Sequence, residues 1–408
     1  MKVLAIYPWP SFWSMGEGRG SPSFEVSATS FAAHGHEAHV LMPGTPGMPA
    51  REERHGVTLH RLPTSVDFVP FPKGPRVVHH LRLLWTYVYW FVRAVPAGVR
   101  LVRELRPDVL FGMEKLGAPA ASIVGRLTGL PNVTRLFGTE LNVIEGRGLR
   151  FAMRYRDINA FRARADHIIM HNDGSFGDRV ARSLGVDMSR FTFLQDGLDK
   201  AGFTAEVPAG PTVYELGAPA GSAVVLSVGR LNEEKRVDRL LRAVPDIVAA
   251  RDDVSVLIVG DGDQTDELKS AAGRLGVSDR VVFAGTVAHD ELPAVYRSAA
   301  LFVTLSDRTN AFNPLFEAML SGVPVVALDT GSTAQELEDG ETGVLLGMDD
   351  LPRLAEVVVG LLNDDARRRA MAEAARKRAW ERVPSIEERQ ETEVRIVERV
   401  VEERTLGR

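Results

Sequence analysis

The 408 residues are 45% hydrophobic and 25% charged, which is enough apolar material for two domains with separate cores and excludes a disordered chain. There is no cysteine, so disulfides and thiolate metal sites are excluded, and a reducing compartment is compatible. The formal net charge of −5 conceals a division: residues 1–195 hold 24 Lys and Arg against 16 Asp and Glu, whereas the remainder holds 25 against 38.

The opening MKVLAIY reads as a buried strand with neither a long apolar signal core nor a small-residue cleavage site, so the mature chain is expected to start at Met1. A Gly- and Pro-rich loop, Pro8 to Pro22, follows, with a helix starting near Ser23 and a second strand, HEAHVLM, at Glu37. Further strands are expected at Val57 to Leu62, Asp108 to Gly112, Asn132 to Phe137 and His167 to His171, separated by helix-length segments. His34, His36 and His39 straddle a helix end and a strand, where their directions scatter, and no metal is assigned. The longest apolar run, Leu83 to Val92, is too short to span a bilayer. Its aromatics, Trp85, Tyr87, Tyr89, Trp90 and Phe91, leave two readings open: packing a core, or resting with the basic front half on an anionic membrane surface. Nothing in the pattern calls for a nucleic-acid partner.

After Gly217 the pattern restarts. AVVLSVG at Ala223, SVLIVGDG at Ser255, RVVFAG at Arg280, ALFVTLS at Ala300 and PVVALD at Pro324 are short continuous apolar strands, as expected where helices cover both faces of a parallel sheet. A helix is expected from Val237 to Ala250. The Gly-, Pro- and Ala-rich stretch between the two sets reads as a connector, and the charged tail from Asp365 to Arg404 as a solvated helical face. The expected organisation is α/β, with two doubly wound Rossmann-like domains: 1–197, a linker 198–222, 223–380, and a helical tail 381–408.

In open parallel sheets, ligands sit beyond the carboxyl ends of the strands. There the sequence places Arg230 and Lys235, two cations at a helix start, as an anion site suited to a diphosphate. After ALFVTLS come Asp307, Thr309, Asn310 and Asn313, polar groups able to satisfy sugar hydroxyls, and a helix whose first N–H groups face the same end. Glu317 falls on an otherwise apolar helical face, so its carboxylate is expected to accept hydrogen bonds, from a ribose diol or from a backbone or Arg partner. Gly16, Gly18 and Gly20, and likewise Gly260 and Gly262, would let a backbone approach a ligand closely.

Taken in order, GHEAHVL at Gly35, LFGTEL at Leu136, ADHIIMHNDG at Ala165, QDGLDKAGF at Gln195, VGRLNEEKRVDRLLRA at Val228, LIVGDG at Leu257, VVFAGTV at Val281 and FNPLFEAMLSGVPVVALDTG at Phe312 resemble GT4-type glycosyltransferases. The resemblance implies the GT-B fold, with two Rossmann-like domains facing each other across a cleft, an acceptor domain first and a donor domain second, and last helices that cross back to the first. It implies a retaining, metal-independent, cytoplasmic transferase without a cofactor, taking a nucleotide-sugar donor, UDP before GDP, and a hydroxyl acceptor that is lipid-linked, cell-envelope or natural-product. With a lipid acceptor the protein would sit peripherally on the inner membrane face. Arg230 and Lys235 would hold the diphosphate, Glu317 the ribose, and Val287 would frame the base. Gly18, Gly20, Gly229, Gly260, Gly262, Thr309, Phe312, Pro314 and Leu315 would line the donor, and Gly138, Thr139 and Glu140 the acceptor side.

The sequence departs from the family pattern at Thr309, where a Glu is usual, at Phe137 for a His, and at Asp196 for an Asn. Asp307, Asn310 and Asn313 are the candidates to replace the missing Glu and to share catalysis with the two cations. Two alternatives remain beside transfer: a non-catalytic GT-B-like binding subunit, and a nucleotide-sugar epimerase.

Overall fold

The computed structural model describes residues 1–8, 22–44, 47–63, 76–139, 141 and 148–407, which divide into two units. Unit 1 comprises Met1–Asn172, Phe176–Asp196 and Glu387–Arg408; unit 2 comprises Gly197–Ile386 together with Asp173–Ser175.

In unit 1, β1 (Lys2–Ile6), β2 (Glu37–Gly44), β3 (Arg51–Arg54), β4 (Val57–Pro63), β5 (Val109–Met113), β6 (Asn132–Leu136), β7 (His167–His171) and β8 (Phe191–Leu194) form one sheet in the order β3-β4-β2-β1-β5-β6-β7-β8. Only β3 runs antiparallel to its neighbour. β5 and β6 are buried at every residue, which explains their lack of alternation.

The helix Arg76–Leu105 buries one part of its apolar and aromatic run and exposes another. Trp90 is fully buried and donates its indole N–H to the Leu116 carbonyl at 3.2 Å. Leu84, Trp85, Val88 and Val92 are exposed on the other side. Among the described residues no helix is long and apolar enough to cross a membrane.

The tail is not simply a solvated face. In the last helix, Ile386–Leu406, Arg389 and Glu393 are buried and paired with each other, and Glu393 accepts from the Ser27 hydroxyl. One turn apart on the helix, they can neutralise each other as they pack on unit 1, which is what makes their burial tolerable.

In unit 2, β9 (Ala223–Val228), β10 (Val254–Val259), β11 (Val281–Gly285), β12 (Leu301–Thr304), β13 (Val325–Leu328) and β14 (Val344–Leu346) form a parallel sheet in the order β11-β10-β9-β12-β13-β14. The first strand lies in the middle and the chain builds outward on either side. The crossover direction therefore reverses between β9 and β12, leaving an opening beyond their carboxyl ends. The helix Val237–Ala250 buries Val237, Leu240, Leu241, Val244 and Ile247, one apolar stripe at helical spacing.

The stretch expected to be a linker, 198–222, is instead part of unit 2. Leu198, Phe203, Val213 and Ala218 are buried in one apolar cluster with Val224, Leu226 and Phe302. Its Gly, Pro and Ala content reflects irregular backbone rather than freedom from packing, because four well-placed apolar side chains suffice to dock it.

Candidate active site

The switch point of unit 2 brings together the loops after β9 and β12. In the first, Asn232 caps the turn Glu233–Lys235 by accepting the Lys235 N–H at 3.1 Å, and Arg236 takes a left-handed conformation (φ +51°) before the Val237–Ala250 helix starts. Asp307, from the second loop, pairs with Arg236 at 2.9 Å and with Arg239, and donates its N–H to the Glu234 carbonyl at 3.1 Å. Arg308 reaches Glu234 at 3.4 Å. These cross-braces fix the position of Lys235, whose ammonium lies 3.3 Å from the centroid of the Phe312 ring. Burial, reinforced by the charges of Arg308 and Arg230 against the opposing pull of Glu234 and Asp173, lowers the Lys235 pKa to about 8. Arg230 is exposed, and among the described residues its guanidinium has no protein partner. One constrained cation and one exposed one stand at the same loop.

The polar residues expected to hold sugar hydroxyls separate into different roles. Asp307 is committed to Arg236 and Arg239, so its carboxylate braces loops rather than waiting for a ligand. Asn310 is 1% exposed and its amide is saturated: the carbonyl oxygen accepts from the Thr304 hydroxyl and the Ser306 N–H, while the amide nitrogen donates to the Leu328 carbonyl and the Thr330 hydroxyl. Thr309 is fully buried, its hydroxyl accepting the Ala311 N–H. It is enclosed by two glycines with positive φ: a Cβ on Gly174 would meet the Thr309 hydroxyl at 2.3 Å, and one on Gly331 would meet the Thr309 Cβ at 2.6 Å. The position where the family usually has Glu is therefore filled with a small side chain packed against main chain. Asn313 remains half-buried with no side-chain partner among the described residues.

The helix Asn313–Leu320 offers fewer donors than its sequence suggested, since Pro314 has no N–H and the Leu315 N–H bonds to the Phe312 carbonyl at 3.0 Å. Leu315 is a core residue, and Pro314 is half-buried. Gly260 and Gly262 serve neighbouring main chain: a Cβ on Gly260 would lie 1.9 Å from the Gly229 carbonyl oxygen, and one on Gly262 would lie 2.2 Å from that of Leu231. The loops after β9 and β10 thus lock together without side chains between them. Gly229 has a positive φ (+152°), and Val287 packs half-buried against the apolar cluster of unit 2.

Glu317 is 2% exposed, and its hydrogen-bond partners are neither backbone nor Arg. The Tyr296 hydroxyl donates to Oε2 at 2.9 Å and His289 Nε2 lies 3.0 Å from Oε1. The bond to Glu317 raises the His289 pKa, and burial raises that of Tyr296 well above the ordinary phenol range. Sequence spacing gave no signal for this trio, because Tyr296 and His289 look like ordinary members of a short helix and a turn.

In unit 1, Gly18, Gly20 and Glu140 lie outside the described residues. Gly138 has a positive φ (+105°), and Thr139 is buried with its hydroxyl accepting the Leu141 N–H. Phe137, in place of the usual His, stacks 6.3 Å from His171, and its N–H donates to the buried Glu114 carboxylate at 2.6 Å. Asp196, in place of the usual Asn, pairs with His171 at 2.8 Å and Arg135 at 3.3 Å. Burial opposes its ionisation, but the hydrogen bond from His171 and the charges of Arg135 and Arg389 outweigh burial and hold its carboxyl well below the usual range.

The family described as glycosyl transferases group 1 matches residues 214–378. The chain is 30% identical to a GDP-mannose-dependent alpha-mannosyltransferase of Mycolicibacterium smegmatis over 83% of each sequence. It is 26% identical to the 2-deoxystreptamine N-acetyl-D-glucosaminyltransferase of Streptomyces fradiae, over 92% of this chain and 91% of that one. Its fold is similar to that of sucrose-phosphate synthase from Thermosynechococcus elongatus, with a TM-score of 0.73 over 98% of each chain at 18% identity. With two parallel-sheet Rossmann-like units and this kinship along most of its length, the chain belongs to the group 1 glycosyl transferases, GT4-type enzymes of the GT-B fold.

Proposed function

We propose that this enzyme transfers a sugar, with retention at the anomeric carbon, from a nucleoside diphosphate sugar to an acceptor hydroxyl. The observation that carries the reading is the Lys235 ammonium held over Phe312 beside the exposed Arg230, which has no partner among the described residues, beyond the β9 and β12 ends. Within the protein this half-buried lysine is balanced only in part, by Glu234 at 4.0 Å, and a diphosphate would add the counter-charge. Glu317 then takes the ribose diol, Val287 borders the base, and Asn313 is the polar group left to meet a sugar hydroxyl. As the bond from the anomeric carbon to the diphosphate oxygen breaks, the electron pair leaves with the diphosphate, and Arg230 and Lys235 stabilise the charge. The acceptor oxygen bonds the same carbon on the same face, and its proton passes to the departing phosphate. The two cations take the place of a divalent ion, and no cofactor is required.

The family resemblance puts a UDP-sugar first; GDP stands beside it because the 30% identical relative is named for GDP-mannose. The exposed Leu84, Trp85, Val88 and Val92 strip, on a helix whose only acidic residue is Glu104 and which carries Arg93, Arg100 and Arg103, supports peripheral contact with an anionic membrane on its inner face and a lipid-linked acceptor.

Thermal melting against UDP, GDP, ADP and dTDP, with Lys235→Ala alongside, tests the donor site. A rise for one nucleotide that the variant loses supports the reading. No rise with any of them overturns it, and conversion of the donor sugar without an acceptor would make the enzyme an epimerase. Loss of binding to anionic vesicles in Trp85→Ser/Val92→Ser tests the membrane contact.

A further inference from the structure

A carboxylate buried to 2% exposure inside an apolar helix face must be satisfied, and Glu317 is satisfied from two elements. Tyr296, fully buried in the helix Leu292–Ser298, donates to one oxygen; His289, in the turn before that helix and with 44% of its side chain exposed, meets the other. Each oxygen keeps lone-pair capacity, and the two stand side by side as the two hydroxyls of a vicinal diol do. Tyr296 is locked by the core. His289 is the partner at the solvent side, and its ring is set by an edge contact with Phe203, centroids 5.7 Å apart at 72°.

We infer that His289 is a positioning residue of the nucleotide site, fixing the Glu317 carboxylate so that both oxygens face the ribose diol. This rests on the reading that Glu317 holds the ribose. The groups that act on His289 are Glu317, Asp199 and Asp290, all acidic, and the Glu317 bond raises its pKa, so the imidazolium is retained to higher pH than an ordinary histidine's. A purely structural role, satisfying a buried carboxylate, would affect folding but would not distinguish nucleotides by their hydroxyls.

The test uses whichever of UDP or GDP raises the melting temperature, and its 2′,3′-dideoxy form, with dissociation constants measured by calorimetry. His289→Ala should weaken the ribonucleotide about tenfold, the usual effect of losing one hydrogen bond to a charged group, and leave the dideoxy form within about twofold. His289→Gln, which keeps an N–H donor, should recover most of the loss. In steady state the donor KM should rise while kcat holds. In a Glu317→Gln background, His289→Ala should add nothing. Equal weakening of both nucleotides, or an unchanged Kd beside a lowered melting temperature, overturns the inference. If Glu317→Gln itself leaves the preference for the ribonucleotide intact, the ribose assignment fails first; if neither nucleotide binds, both fall together.

Discussion

Lys235 supplies a prediction that can be worked from its surroundings. A lysine held at about 8 instead of 10.5 has its cation disfavoured by about 3 kcal/mol. The causes are burial and the neighbouring Arg308 and Arg230 charges, with Glu234 and Asp173 pulling the other way. A diphosphate reverses this balance, because it binds the charged form, so binding draws a proton onto Lys235 whenever the free protein has lost one. At pH 7 almost no proton is taken up; at pH 8.5 about 0.8 proton per nucleotide should be, and between pH 7 and pH 9 the affinity should fall about tenfold. The assay is calorimetric titration of the nucleotide at pH 8.5 in buffers of different ionisation enthalpy. Lys235→Arg, which keeps the charge at every accessible pH, should abolish the lysine's share of the uptake. Absence of uptake in the wild type, or its full persistence in the Arg variant, would refute the argument.

The depressed lysine also lowers stability. Since the unfolded chain binds more protons than the folded one between about pH 8 and 10.5, the penalty is complete below that window and relieved as pH rises through it. Lys235→Met should therefore stabilise the apo protein at pH 7 by about 2 kcal/mol after the lost Phe312 contact, as read in denaturant unfolding, with the gain shrinking towards pH 10.5 while nucleotide binding is lost. Thr309→Glu, which restores the usual family residue, should destabilise by at least about 3 kcal/mol in thermal melts, because the enclosure by Gly174 and Gly331 leaves a charge buried and crowded. Asp307→Asn should cost about 1 kcal/mol, as its partly exposed pairs imply, and shift donor KM more than kcat; collapse of kcat alone would return Asp307 to the sugar. Asn310→Ala should lower the melting temperature markedly, since four hydrogen bonds lose their partner; a fully stable but inactive variant would contradict its structural role.

Much of the fold was legible because runs such as AVVLSV and VSVLIV have only one economical use in a chain of alternating helices, as strands buried on both faces. The placement of Arg230 and Lys235 beyond a strand end was legible for a related reason, because their loop follows such a strand. What escaped was set by distance in space. Nothing local to Asp307 announces Arg236 and Arg239, and an Asn in a polar loop reads as a ligand group until Leu328 and Thr330 are seen to occupy its amide. Gly260 and Gly262 looked like ligand glycines, yet the backbone that needs the space belongs to the neighbouring loop. Burial of the stretch 198–222 was hidden by its composition, which reports backbone irregularity more clearly than contact.

That last segment bears on how the enzyme can be divided and recombined. Phe203 stands between the core and the ring of His289, so residues well upstream of β9 support the side of unit 2 that holds Glu317. A fragment begun at Ala223 would strip the cover from Val224, Leu226 and Phe302, and would leave His289 without its wall. A chimera with a related transferase should therefore take its junction before Leu198, where unit 2 inherits its own brace; grafts made at the start of its first strand would carry the cations across but not the contacts that support Glu317.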